Sequence, residues 1–133
     1  MDKKYFAKII AMDNEGLQMI SACCAGAKVK ITDMKYLKNN KIFLLSLERS
    51  QRESGEENKK INSICKFEFV NSVKAKNIDQ KNHELQLNLI GMDYLKNNKD
   101  YEINLIFNNN AHIALTAEVI DVTLEDQNQI EKK

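Results

Sequence analysis

Apolar residues in this chain recur at every second position in run after run, and each run gives way to a short polar stretch. Val29 and Ile31 alternate with Lys28, Lys30 and Thr32; Phe43, Leu45 and Leu47 alternate in the next run. Leu85, Leu87 and Leu89 follow the same rule, as do Tyr101, Ile103, Leu105 and Phe107, and then Ile113, Leu115, Ala117 and Val119. A period of two is that of a strand whose successive side chains point to opposite faces, one on a core and one in water. The connections are too short for parallel crossovers, so the pairing must be antiparallel.

A second feature sharpens this. Residues 36–41 read Tyr-Leu-Lys-Asn-Asn-Lys, and residues 94–99 read the same six, each copy two positions after a Met (Met34, Met92). Both sit where one alternating run turns into the next, so each belongs at a hairpin tip. Either an internal duplication of a β-meander or two similar turns in a chain rich in Lys and Asn accounts for the echo.

Tyr5 to Met12 is a short segment with β character, and Asp13 stands where a helix N-cap belongs, its carboxylate able to accept from first-turn amides. Leu17, Ile20, Cys24 and Ala27 recur at helical spacing, and Gly26 supplies the stop. Ser50 to Lys60 is polar and without period, a loop. Ile64 to Lys76 reads as one strand with Cys65, Phe67, Phe69 and Val73 on one side. Asn77 to Glu84 is a second loop, and Asn108-Asn109-Asn110 is a turn, because Asn tolerates positive φ. Near Val119 the apolar phase slips to Ile120, Val122 and Leu124, as a one-residue bulge would require.

The expected fold is α+β. A mainly antiparallel sheet of six to seven strands in two meanders, barrel-like or two packed sheets, carries one N-terminal helix over an open end or a face. Residues 1–124 form the single domain and residues 125–133 a short polar tail.

Twenty basic and nineteen acidic residues leave a formal charge of +1, without the positive field that non-specific binding to phosphate backbones needs. Nucleic-acid binding is therefore the weakest of three functional readings. No apolar run spans a bilayer and no cleavable leader is evident, so a cytoplasmic protein without membrane association is expected. Three cysteines without a Cys-x-x-Cys pair read as reduced thiols.

Chemistry is sparse. Cys23, Cys24, Cys65, His83 and His112 have no metal-pair spacing, so no metal is expected, and with four scattered glycines there is no phosphate-cradling loop and no cofactor. Asp13, Asp33, Glu118 and Asp121 border elements and are explained as caps and turns. The basic residues Arg49, Lys74 and Lys76, with Glu118 and the hairpin-tip Tyr36, are the candidates for a ligand or partner site; lysines that guard a sheet edge are the simpler account of Lys74 and Lys76. On the returning strand Ile42 and Leu44 form a second apolar face, awaiting cover by the helix or by a partner chain, including a second copy in a homodimer. A non-catalytic binding or assembly module asks least of these residues. The alternatives are a small-ligand protein or enzyme with a site at the barrel mouth, and a weak nucleic-acid binder.

Read at full length, the chain resembles an alphaproteobacterial family catalogued as domain of unknown function 2948. The likeness runs through Ala11-Met-Asp13, Ile20-Ser-Ala22, Tyr36-Leu37, Phe67-Glu68, Val73, Ile78-Asp79, Phe107, Glu118 and Leu124-Glu-Asp126. The resemblance implies a bacterial protein and brings no activity, cofactor or catalytic residue with it. The chain departs from the family at Asn108 to Asn110, where relatives tend to have a Gly-rich turn, and at Ala114, where an Arg is often found. Both departures weaken an anion site built on that turn.

Overall fold

Asp13 opens the helix as its position requires. In the computed structural model, which describes residues 8–50 and 60–127, its backbone is extended and its Oδ1 accepts from the Gly16 amide at 2.8 Å. That satisfies one of the donors an opening turn leaves without a partner. Helix α1 (Asn14–Cys24) buries Leu17, Ile20 and Cys24, and Gly26, at φ +84°, turns the chain out of it. Gly16 lets the helix start lie against the strand before it, since a Cβ there would fall 2.9 Å from Ala11 Cα.

The described residues form ten strands beside this helix: β1 (Lys8–Ala11), β2 (Lys28–Lys30), β3 (Met34–Leu37), β4 (Ile42–Ser50), β5 (Lys60–Phe67), β6 (Val70–Lys76), β7 (Gln86–Asn97), β8 (Asp100–Phe107), β9 (His112–Ala117) and β10 (Val122–Asp126). They pair antiparallel in the order β1-β10-β5-β4-β2-β7-β8-β9-β6, with β3 paired to β4 beside β2. The mainly antiparallel sheet and the single helix are as the alternation and the cap imply.

Two expectations are corrected. The strand count is ten rather than six or seven, in part because two runs read as continuous are each broken. Between β5 and β6, Phe69 takes a left-handed backbone at φ +59°. This redirects the chain, so that β5 pairs with β4 and β10 while β6 pairs with β9. Phe69, assigned to the apolar face with Phe67, is instead 43% exposed. The phase slip near Val119 is likewise a break between β9 and β10 rather than a bulge. Second, the sheet is not closed: among the described residues no ladder joins β6, at one end of the order, to β1 at the other or to β3. The turn Asn108–Asn110 is as expected, with Asn109 and Asn110 at φ +59° and +60°. Strand β10 continues to Asp126, past the boundary expected at residue 124, while the loop assigned to 50–60 falls largely outside the described residues.

The inner faces and the helix share one core, to which Leu17, Ile20, Phe43, Leu45, Phe67 and Phe107 contribute. Full burial of each such side chain is worth roughly 1.5–3 kcal/mol. No helix among the described residues is long and apolar enough to cross a membrane.

Candidate functional site

The open seam begins where β6 starts. The Val70 amide donates to the Lys41 carbonyl at 2.8 Å and the Tyr36 hydroxyl donates to the Val70 carbonyl at 2.9 Å, so the first residue of β6 is pinned to the tip of the β3–β4 hairpin. Lys41 Nζ reaches Glu118 Oε2 at 2.8 Å beside this junction. Beyond Val70 the edges part, and side chains on the inner face of β6 become steadily more exposed from Val70 through Val73 to Ala75.

A groove of about 380 Å³ fills the gap. Phe43 and Ile113, both buried, form its floor; Met34 and Tyr36 line it from β3, Val73 and Ala75 from β6. Its exposed polar margin is made by Thr32 and, from the loop after β6, Gln80 and His83. An apolar floor with a few polar groups at the mouth, in the volume range of roughly 300–1,000 Å³, is the usual form of a small-molecule site.

A larger concavity of about 560 Å³ lies on the outer face across β2, β4 and β5, with Lys28, Lys30, Asp33, Glu48, Asn62 and Gln127 among its residues. Its wall is polar and carries both signs of charge, as an ordinary solvated sheet face does. Ser63 belongs to it, but the Ser63 hydroxyl is committed to Asp126 on the core side.

The candidate residues do not converge. Tyr36 is at the seam and lines the groove. Glu118 is at the seam through Lys41, whose ammonium holds the Glu118 carboxyl below the usual glutamate range, first by the hydrogen bond and then by charge. Arg49 is at the far end of β4, roughly 25 Å from Lys41 along the strand. It is 1% exposed, and its guanidinium is spent internally: Nε donates to Asp126 Oδ1 at 3.1 Å and to Ser63 Oγ at 3.2 Å, Nη2 to Asp126 Oδ2 at 2.9 Å. Lys74 and Lys76 stand exposed on the edge strand β6, opposite Ala114 and His112 of β9. Ile42 and Leu44 are half-buried; Leu44 lies between Lys35 and Lys66, and Ile42 beside Leu37. The helix gives them no cover, because its buried residues join the core with Phe43 and Leu45 on the opposite face of β4.

Sequence reasoning missed the groove margin and one polar line. Asn104 Nδ2 donates to Asp93 Oδ1 at 3.1 Å, and Asn104 Oδ1 is 2.8 Å from His112 Nε2, so a carboxylate, an amide and an imidazole link β7, β8 and β9. With the amide oriented this way, Nε2 is the protonated nitrogen of the ring. No hydroxyl or thiol among the described residues is hydrogen-bonded to this imidazole, so it lacks the nucleophile that a base would activate. Cys24 and Cys65 offer none either. They form no disulfide, both are buried, and burial, then the neighbouring Cys24, pushes the Cys65 thiol well up. Among the described residues no three His, Cys, Asp or Glu side chains are grouped to hold a metal ion.

The model of a protein family described as "Protein of unknown function (DUF2948)" matches residues 7–132. The chain belongs to this family. Searches of curated proteins and of solved structures find no match. Membership agrees with the resemblance read from Ala11-Met-Asp13 onward, and DUF2948 brings no assigned chemistry to the seam or to the His112 line.

Proposed function

We propose that the protein is a non-catalytic binding module whose site is the groove left where the sheet stays open between β3 and β6. One observation carries the reading. Strand β6, at one end of the sheet order, lies across from β3 without pairing to it, and between them lies an apolar-floored cavity of about 380 Å³. A small closed sheet would fill that space with side chains. The lack of a nucleophile beside His112 and the commitment of Arg49 to Asp126 both favour binding over catalysis.

The chain has no tryptophan, so a substitution at the groove supplies its own reporter. Ala75→Trp, at an exposed position on β6, should fill the cavity. The wild-type protein should enhance the fluorescence of anilinonaphthalene sulfonate, and the variant should lose that enhancement while its unfolding midpoint stays near that of the wild type. Equal enhancement in a well-folded variant would put the apolar site elsewhere, with Ile10, Met12 and Met19 as the exposed alternatives, and the reading would fall.

A further inference from the structure

The side chains that line the groove restrict what it can hold. Of the residues that line it, only Tyr36 and His83 carry ionisable side chains, and no carboxylate is among them. The Tyr36 hydroxyl already donates to the Val70 carbonyl. Of the acids adjacent in sequence, Asp79 Oδ1 accepts from the Lys81 amide at 3.1 Å, Asp33 lines the outer concavity with Lys28 and Lys30, and the exposed Glu84 beside His83 is not among the lining residues. A cationic ligand would therefore find no counter-charge in the groove lining.

The margin instead carries donors, on groups that can each also accept. Thr32 offers a hydroxyl, Gln80 an amide NH₂ and His83 a ring N–H, and none of these three side chains is engaged by another described residue. Below them the floor and walls of Phe43, Ile113, Met34 and Val73 present no group that needs a polar partner. A ligand that satisfies both parts has an apolar body and an acceptor head. An anionic head gains most, because charge-assisted hydrogen bonds are about twice as strong as neutral ones.

Resting on the assignment of this groove as the binding site, we propose that it takes a small amphipathic acid. Its apolar body lies on Phe43 and Ile113, and its carboxylate meets the donors of Thr32, Gln80 and His83. Such a molecule fits the available volume, and the opening along β6 from Val73 to Ala75 gives it a way in.

The test uses the full chain with three probes that share a ten-carbon alkyl chain, each kept below its micelle-forming or solubility limit: decanoate, decanol and decyltrimethylammonium. Amide chemical shifts are followed at pH 6.5. Decanoate should move the amides of Thr32, Tyr36, Ala75, Gln80 and His83, binding about tenfold more tightly than decanol and more tightly still than the ammonium. His83→Ala should weaken decanoate several-fold and leave decanol unchanged; His83 is exposed, so the variant should fold. Gln80→Ala, also at an exposed site, should act in the same direction. If acid and alcohol bind the groove equally, or His83→Ala changes neither, the acid assignment is overturned while the groove remains the site. If no groove amide moves with any probe, both are overturned.

Discussion

Two ion pairs tie β4 to the last third of the chain, and both span the same sequence separation of 77 residues. At the start of the strand Lys41 meets Glu118 with both side chains about half exposed; at its end Arg49 meets Asp126 with both side chains essentially buried. The chemistry is the same and the consequences are not. Water and salt compete for the first pair, which leaves little net stabilisation. The second is out of water, and its carboxylate also accepts from the Ser63 hydroxyl at 2.6 Å, so neither charge can lose its partner cheaply. What ties the strand end in place is burial together with complete hydrogen bonding, not the presence of opposite charges.

The largest expected effect follows from removing one buried charge. Asp126→Asn leaves the buried guanidinium without its carboxylate, with only neutral acceptors such as Ser63 Oγ and the Ser50 carbonyl, and urea unfolding should report a loss of about 3–5 kcal/mol. A loss below about 1 kcal/mol would mean that water reaches Arg49, and the contrast with the exposed pair would vanish. Replacing the pair, Arg49→Met with Asp126→Leu, should recover most of that loss, because it removes both desolvated charges at once. If the double variant is no better than Asp126→Asn, the pair contributes by its specific geometry.

A smaller effect separates the two hexapeptide copies at the same structural level. Tyr36→Phe removes the hydroxyl that holds Val70 and should cost about 1 kcal/mol. Tyr94 instead packs its ring against Tyr101 at 5.8 Å, with no hydrogen bond recorded for its hydroxyl, so Tyr94→Phe should be close to neutral. Equal losses would show that the seam hydrogen bond is not the reason for the difference.

The smallest effect belongs to the exposed pair. Lys41 lowers the Glu118 pKa, so the native state binds a proton less readily there than the unfolded chain. The pair's contribution is thus full above the ordinary glutamate range and disappears as the pH falls through the lowered value. Stability curves of the wild type and Glu118→Gln should nearly coincide at pH 7 in 0.5 M salt, separate slightly at low salt, and meet again in acid. A gap that survives high salt would count against the ranking.

Much of the fold is legible because it is local. Asp13 caps the helix, the alternation marks most strands, and the asparagine turn needs only positive φ at Asn109 and Asn110. The buried pair is legible too, once the phase is followed one step further. Arg49 continues the inward series Phe43, Leu45, Leu47, and Asp126 continues Val122, Leu124. Opposite charges at successive inward positions predict each other, whereas a reading by residue type alone sends Arg49 towards a ligand.

What is not legible is set by distant contacts. Phe69 adopts its left-handed backbone where three long-range hydrogen bonds converge: Glu68 N to Asp121 O, Val70 N to Lys41 O and Glu118 N to Phe69 O. No neighbour in sequence announces them. The two hexapeptides make the same point. The first leaves its strand after Leu37, forms a 3-10 turn over Lys38–Asn40 and places Lys41 at φ +58°. The second stays in strand to Asn97 and turns with Asn98 at φ +39°. Tyr, Leu, Lys and Asn permit either path, and the partners of each tip decide. The groove was hidden for the same reason, since β3 and β6 are neighbours only in space, and Gln80 and His83 sit in a loop without period.

The pairing of β1 with β10 bears on how the molecule is made. Among the described residues Lys8 to Ala11 finds its only ladder against Val122 to Glu125, and β10 in turn completes β5. During synthesis the amino-terminal strand therefore emerges long before the segment it needs, and it cannot be secured until residue 125 has left the ribosome. A chain stalled shortly before that point would present two strands short of a partner, β1 and β5, to its neighbours on the polysome.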